Sequence, residues 1–212
     1  MKTILYLGTN LAFSLPNARV IHFPIISIAP RSFTEKHLFS SFEDLPNYSH
    51  FIFTSKNAVA IFFQYATRMY NDLSFMKKKE IYSVGEVTAQ ALDKYEVNVS
   101  FIAHPSTQEG LIKKMTNVNW QNTYVMLPKS SLARPLIENF LKDRRIRYQA
   151  PNLYDTITNK NQEVPSLDLV DEIVFTSPST VKAFTELYGN IPQNKKITSI
   201  GPITQQALDE VL

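Results

Sequence analysis

Apolar and polar positions along this chain come in two alternating textures. Short continuous apolar runs are each followed by a segment in which apolar residues return every three or four positions. The first texture is that of a strand buried on both faces, the second that of a helix laid against a sheet. HFIFTS (50–55) with Ala58, Ile61, Phe62, Tyr65 and Met69 is one such strand-helix unit. IYSVG (81–85) with Val87, Ala91, Leu92 and Tyr95 predicts a second, and VSFIA (99–103) with Leu111, Ile112 and Met115 a third. YVMLP (124–128) with Leu136, Ile137, Phe140 and Leu141 predicts a fourth. Nearer the N-terminus, TILYL (3–7) reads as a strand. ARVIHFPIISIAP (18–30) reads as an extended segment broken by Pro24, a residue that suits an edge or a connector.

A second extended, proline-interrupted segment, YQAPNLYDTIT (148–158), leads through the polar NKNQEVPS to a restart of the alternation. EIVFTS (172–177) predicts a strand and Val181, Phe184, Leu187 and Tyr188 a helix face. ITSIG (197–201) and a helix from Thr204 to the C-terminus complete the chain. Two such units are too few for a domain of their own. The expectation is an α/β fold of two parallel-sheet domains, residues 1–27 with 155–212 and residues 30–150. The extended crossings near 20–30 and 148–158 would run side by side as a two-stranded linker.

Two phrases occur twice. FTSKNAV (53–59) returns as FTSPSTV (175–181), and GEVTAQAL (85–92) as GPITQQAL (201–208). Ser55 and Ser177 stand where a helix N-cap belongs, and Pro178 takes a first helical position, where its missing N–H costs nothing. Gly85 and Gly201 turn the chain off a strand, which puts Thr88 and Thr204 in the first helical turn. All four loops fall at the carboxyl edge of parallel strands, where open α/β sheets bind ligands and uncapped helix N-termini attract anions. A serine or threonine cap equally serves only to complete its helix, and duplication alone would leave shared phrases. Neither phrase is GxGxxG or GxxxxGK[ST], so no motif supports a nucleotide.

Composition narrows the class. With 44% hydrophobic, 12% aromatic and 19% charged residues, the 212-residue chain has enough apolar matter for packed cores. A net charge of +3 fits an acidic small molecule and is too thin for a nucleic-acid stripe. Cysteine is absent, which removes disulfides and thiol chemistry. His22, His37, His50 and His104 lack metal-ligand spacing, no GxSxG elbow is present, and no metal or cofactor is expected. The basic runs KKK (77–79) and KDRRIR (142–147) read as solvated cations near helix ends. No apolar stretch approaches a membrane span. MKTILYLGTNLAFSLPNA raises a signal-peptide question, but Gly8, Thr9 and Asn10 interrupt its apolar part, and TILYLG reads better as a buried strand. A cytoplasmic chain is expected, and a monomer, because no heptad seam asks for a partner.

Five phrases in order carry a resemblance: FTS before a helix, VGEVTAQAL, an extended segment ending LYDT, VFTSPSTVKAF and IGPITQQAL. Together they resemble uroporphyrinogen-III synthase, the tetrapyrrole-pathway family that closes hydroxymethylbilane while inverting its D ring. The likeness spans residues 50–208; each motif alone is loose, and five in register are specific. The resemblance implies a lyase with two α/β domains joined by a two-stranded ladder and an active site in the cleft. It implies a linear tetrapyrrole substrate with many carboxylates and no nucleic-acid or membrane partner. Substrate contacts would fall at Thr54, Ser55, Gly85, Thr88, Ser177, Ser179, Gly201 and Thr204. Tyr154 matches the tyrosine that helps expel the substrate hydroxyl, although it also reads as an aromatic packed in the linker. Where relatives often carry an arginine-glycine pair, this chain has LPKSSLAR, leaving Lys129 and Arg134 as the cations. It also shows only LGTNLAFSLPN where many relatives have a helix, and it stops at Leu212, so the first domain is expected to be trimmed. The competing class is a non-enzymatic two-lobed receptor for an anionic metabolite.

Overall fold

In the computed structural model, which describes residues 1–11 and 17–212, apolar runs become strands and periodic segments become helices. In chain order the strands are β1 (Lys2–Tyr6), β2 (Ala18–His22), β3 (Ile26–Pro30), β4 (His50–Phe53), β5 (Glu80–Ser83) and β6 (Phe101–Ile102). They continue as β7 (Tyr124–Met126), β8 (Lys129–Ser130), β9 (Arg147–Gln149), β10 (Asn152–Thr158), β11 (Glu172–Phe175) and β12 (Lys196–Ser199). The α-helices are α1 (Lys36–Glu43), α2 (Lys56–Met69), α3 (Glu86–Asp93), α4 (Gln108–Met115), α5 (Leu136–Asp143), α6 (Pro178–Tyr188) and α7 (Pro202–Asp209). The chain divides into two units, residues 1–29 with 156–212 and residues 30–155.

The discontinuous unit is built on a four-stranded parallel sheet in the order β12-β11-β1-β2. β11 lies inside the sheet and all four of its residues are buried. β2 is at the edge, and the chain leaves it for Pro24 without breaking a ladder. Its core joins Leu5, Leu7, Ile173 and Phe175 to Val181, Phe184 and Leu208. The Phe175 and Phe184 rings meet edge to face at 5.3 Å. The helix predicted from Thr204 onward begins two residues earlier, on Pro202 as its first helical residue. The stretch LGTNLAFSLPN lies partly at 12–16, outside the described residues.

Residues 30–155 carry a five-stranded parallel sheet in the order β6-β5-β4-β7-β9. Central β4 is buried along its whole length, which is why its sequence is apolar without alternation. Phe62 on α2 packs against Phe42, Phe51, Phe53 and Phe63 with ring centroids 5.1–5.7 Å apart. Complete burial of each such ring is worth about 1.5–3 kcal/mol.

Several expectations are corrected here. VSFIA forms only the two-residue β6, and α3 buries Thr88, Ala89 and Leu92. Val87 is 62% exposed on that helix, while Tyr95 lies beyond its end, stacked on Phe63 at 3.9 Å. YQAPNLYDTIT is two strands. Tyr148 belongs to β9, which pairs with β7, and only after Pro151 does β10 begin.

β10 is the middle strand of a third, three-stranded sheet in the order β3-β10-β8. The Arg31 amide donates to the Leu153 carbonyl at 2.9 Å and the Asn159 amide to the Ile25 carbonyl at 2.9 Å, so β3 and β10 run antiparallel. β8, a pair of polar residues with no pattern of its own, adds to the other side of β10 in parallel.

Candidate active site

β4 delivers Phe53, Thr54 and Ser55 to its carboxyl end, where Ser55 turns extended and caps α2. The Ser55 Oγ accepts the Ala58 amide at 3.1 Å and is hydrogen-bonded to the Tyr154 hydroxyl at 2.9 Å. A serine 99 residues away in sequence thus holds the phenol of β10. The backbone of β10 is fixed on both sides: Arg31 donates to Leu153, and the Ser131 amide donates to the Tyr154 carbonyl at 3.1 Å. The Tyr154 side chain is 5% exposed. Burial raises its phenol above the ordinary value, and hydrogen bonds from Ser55 and Ser130 offset only part of that, so the group is protonated at neutral pH. Either hydroxyl can be the donor in the Ser55–Tyr154 contact.

β5 lies beside β4 in parallel, so its own carboxyl end brings Gly85 next to Ser55. Gly85 has φ 86° and ψ 163° and is the N-cap of α3. No side chain caps this helix, leaving its first amides to an anion in a way that α2, closed by Ser55, does not. Thr88 is in the first turn and buried; Thr54 is half-buried.

The second copy follows the same topology. Ser177 ends β11 and caps α6, taking the Thr180 amide at 3.3 Å. Thr180 Oγ1 reaches back to accept the Thr176 and Ser177 amides, each at 3.2 Å, which completes a capping box. Ser179 is half-buried in the first turn. Adjacent β12 leads to Gly201, the N-cap of α7, which again has no side-chain cap, and Thr204 is buried. Ser55 and Ser177 are thus the helix caps expected from the sequence, while the glycine loops leave their helices without a side-chain cap.

The family model for uroporphyrinogen-III synthase HemD matches residues 13–211. The chain belongs to the uroporphyrinogen-III synthase family. It is 28% identical over 196 residues to the porphyrin biosynthesis protein HemD of Ruminiclostridium josui, covering 90% of this chain and 39% of that protein. It therefore spans well under half the length of that relative. The uroporphyrinogen-III synthase of Chlorobaculum parvum is 23% identical over 177 residues, covering 79% of this chain and 72% of that one. The fold is similar to the crystal structure of a mutant uroporphyrinogen III synthase from the extreme thermophile Thermus thermophilus. There the TM-score is 0.71 at 17% identity, with 99% of this chain and 89% of that chain covered. Nothing in these likenesses supports the receptor alternative.

Uroporphyrinogen-III synthases are lyases of porphyrin biosynthesis, and the residues expected to meet an acidic substrate in this member divide unevenly. Lys129 and Arg134 are not unengaged cations. The Lys129 ammonium donates to Asn152 at 2.9 Å and pairs with Glu138 at 3.0 Å, with its side chain only 12% exposed. Arg134 grips Glu109 with both arms, at 2.5 and 3.0 Å, and that hydrogen-bonded guanidinium holds the Glu109 carboxyl down at about 2. A lysine that partly buried is retained by pairing, and α5 supplies the carboxylate. Sequence reasoning missed Arg31 and Asp155, whose bidentate pair at 2.9 and 3.0 Å braces β10 next to Tyr154. The Arg31 hydrogen bonds hold Asp155 below the usual carboxylate value. The signal was present, since Asp155 is the aspartate of LYDT. Among the described residues no group of three His, Asp or Glu side chains is arranged to hold a metal ion, and no helix is long and apolar enough to cross a membrane.

Proposed function

We propose that this chain closes hydroxymethylbilane to uroporphyrinogen III in haem biosynthesis, with inversion of the D ring and loss of water. The observation that carries the reading is the Tyr154 hydroxyl, buried, protonated and held by Ser55, with both residues on phrases that match the family. The phenol gives its proton to the departing hydroxyl, which leaves as water. Attack through the substituted carbon of the D ring then gives a spiro intermediate that opens and recloses inverted. The proton lost as that ring regains its aromaticity returns to the phenolate, so the balance is one water released.

Closure without inversion needs no enzyme, so selectivity is the task. A hundredfold preference asks for about 2.7 kcal/mol between the competing transition states. Position alone supplies a difference of this size. In this reading Gly85 and Gly201 present helix amides to the substrate carboxylates, with Thr54, Ser55, Thr88, Ser177, Ser179 and Thr204 shaping those loops. Lys129 acts by tying Asn152, at the start of β10, to Glu138 of α5, not as a bare cation. The proposal includes two α/β domains with the β3–β10 pair as their linker. Incubation with hydroxymethylbilane, oxidation and chromatographic separation of the isomers is the test. Type III product above the uncatalysed background is expected, and type I alone at every protein concentration refutes the activity.

A further inference from the structure

At the opposite end of the five-stranded sheet from Ser55 and Gly85, the amino ends of β7 and β9 border a groove of about 850 Å³. Arg144, Arg145 and Arg147 line it together with Asn119, Gln121 and Asn122. The cations Arg31, Lys129 and Arg134 of this unit each have a carboxylate partner. Among the described residues none of the three groove arginines forms an ion pair. Two of them lie against rings instead: the Arg147 guanidinium is 3.8 Å from the Tyr124 centroid and Arg144 4.8 Å from that of Phe140. Ring stacking orients a guanidinium and leaves its N–H fork for another acceptor. The nearby carboxylate, Asp44, accepts from Asn47 and Tyr124, which together with the more distant charge of Arg147 hold it below its usual value.

The backbone adds an independent observation. α5 ends in a Schellman turn, with the Ile146 amide bonded to the Leu141 carbonyl at 2.9 Å and the Arg145 amide to that of Lys142 at 3.0 Å. Arg145 fills the left-handed position of that turn, φ 56°, where glycine is the residue that fits without strain. Asn122, which also lines the groove, has the same left-handed backbone at φ 55°, so two turns present polar side chains to it.

We propose that this groove binds a small multivalent anion bearing several phosphate or carboxylate groups, at a site separate from the strand ends used for the reaction above. Three forked donors and neighbouring side-chain amides match oxyanions arrayed on one small molecule, and the volume is that of a ligand pocket. The inference does not depend on the proposed reaction.

Trp120, the single tryptophan of the chain, also lines the groove, so its fluorescence follows occupancy. Titration of the full chain with tripolyphosphate at low ionic strength is expected to give a saturable change, weakened severalfold by added salt. Citrate titrated in parallel identifies phosphate or carboxylate as the preferred group, and calorimetry reads binding directly. Arg145→Gly and Arg147→Gln should each weaken binding about fivefold or more. Arg145→Gly should at the same time raise the thermal midpoint and leave isomer formation unchanged. Absence of saturable binding by both methods, an unchanged affinity in both variants, or an equal response to sulfate at matched ionic strength overturns the site. Loss of isomer selection in a folded Arg145→Gly chain overturns its separateness.

Discussion

Gly85 and Gly201 hold the same place in the two repeats, each between a parallel strand and an eight-residue helix, and their surroundings differ completely. Gly85 is at φ 86°, and a Cβ there would lie 2.7 Å from the Cβ of Ser106. Gly201 is extended at φ −172° with nothing within 4 Å of a built Cβ. The serines differ in the same sense. Ser55 is bound outward to Tyr154, whereas Ser177 closes on Thr180 in a local box. One copy of the device is tied to distant parts of its unit and the other is self-contained. A repeated phrase thus preserves a local shape, and the constraint on each residue comes from what the rest of the chain puts beside it.

Adding one methyl to each glycine should separate the two turns most strongly. Gly85→Ala is expected to lower unfolding stability by about 3 kcal/mol, from a backbone region nearly closed to other residues together with the clash at Ser106. Gly201→Ala should stay within about 0.5 kcal/mol. Denaturant titration reads both, and equal midpoint shifts would show that the two turns are equivalent after all.

A smaller effect separates the serines. Either alanine variant loses an N-cap worth about 1 kcal/mol. Ser55→Ala also releases the phenol, so it should slow turnover together with Tyr154→Phe, which is expected to cost at least about tenfold in kcat with little loss of stability. If Ser177→Ala slows kcat as much as Ser55→Ala does, the tie to Tyr154 has no special standing.

The smallest expected difference is in pH response. Burial depresses the pKa of His50, whose ring lies against Trp120 at 5.1 Å. The unfolded chain then binds the extra proton, so the contribution of His50 is present above the ordinary value of about 6.5 and is lost as pH falls below it. In the other unit, burial alone would raise the Glu172 carboxyl, but bonds from Lys2, Thr198 and Lys196 together depress it. Its contribution is present above the ordinary value of 4.5 and is lost only at lower pH. Midpoints measured against pH should lose their slope near 6.5 in His50→Gln and keep it in Glu172→Gln.

Much of this was legible in the sequence, where local chemistry decides the outcome. The strands before both FTS phrases, the serine caps and Pro178 at a helix start follow from residue types in order. The rest depended on partners far along the chain. β8 is two polar residues that become a strand because β10 offers an edge. β9 was hidden in an extended segment until β7 supplied its register. Lys129 and Arg134 read as available cations because Glu138 and Glu109 are neighbours only in the folded unit. The charges of KDRRIR are exposed at the end of α5 as the sequence predicts, but the rings beneath Arg144 and Arg147 come from α5 and β7.

β1 is flanked by partners made at very different times. β2 follows closely, but β11 comes after all of residues 30–155, and the Thr3 amide bonds Asp171 across 168 residues. At a synthesis rate of roughly 5–20 residues per second, the nascent chain would carry the apolar first strand without that neighbour for on the order of ten to thirty seconds. The contiguous unit needs no such delay, since all its strands have emerged by residue 155. β1 is thus made well before it can be completed, and it is the strand of its unit for which a holding chaperone would matter most.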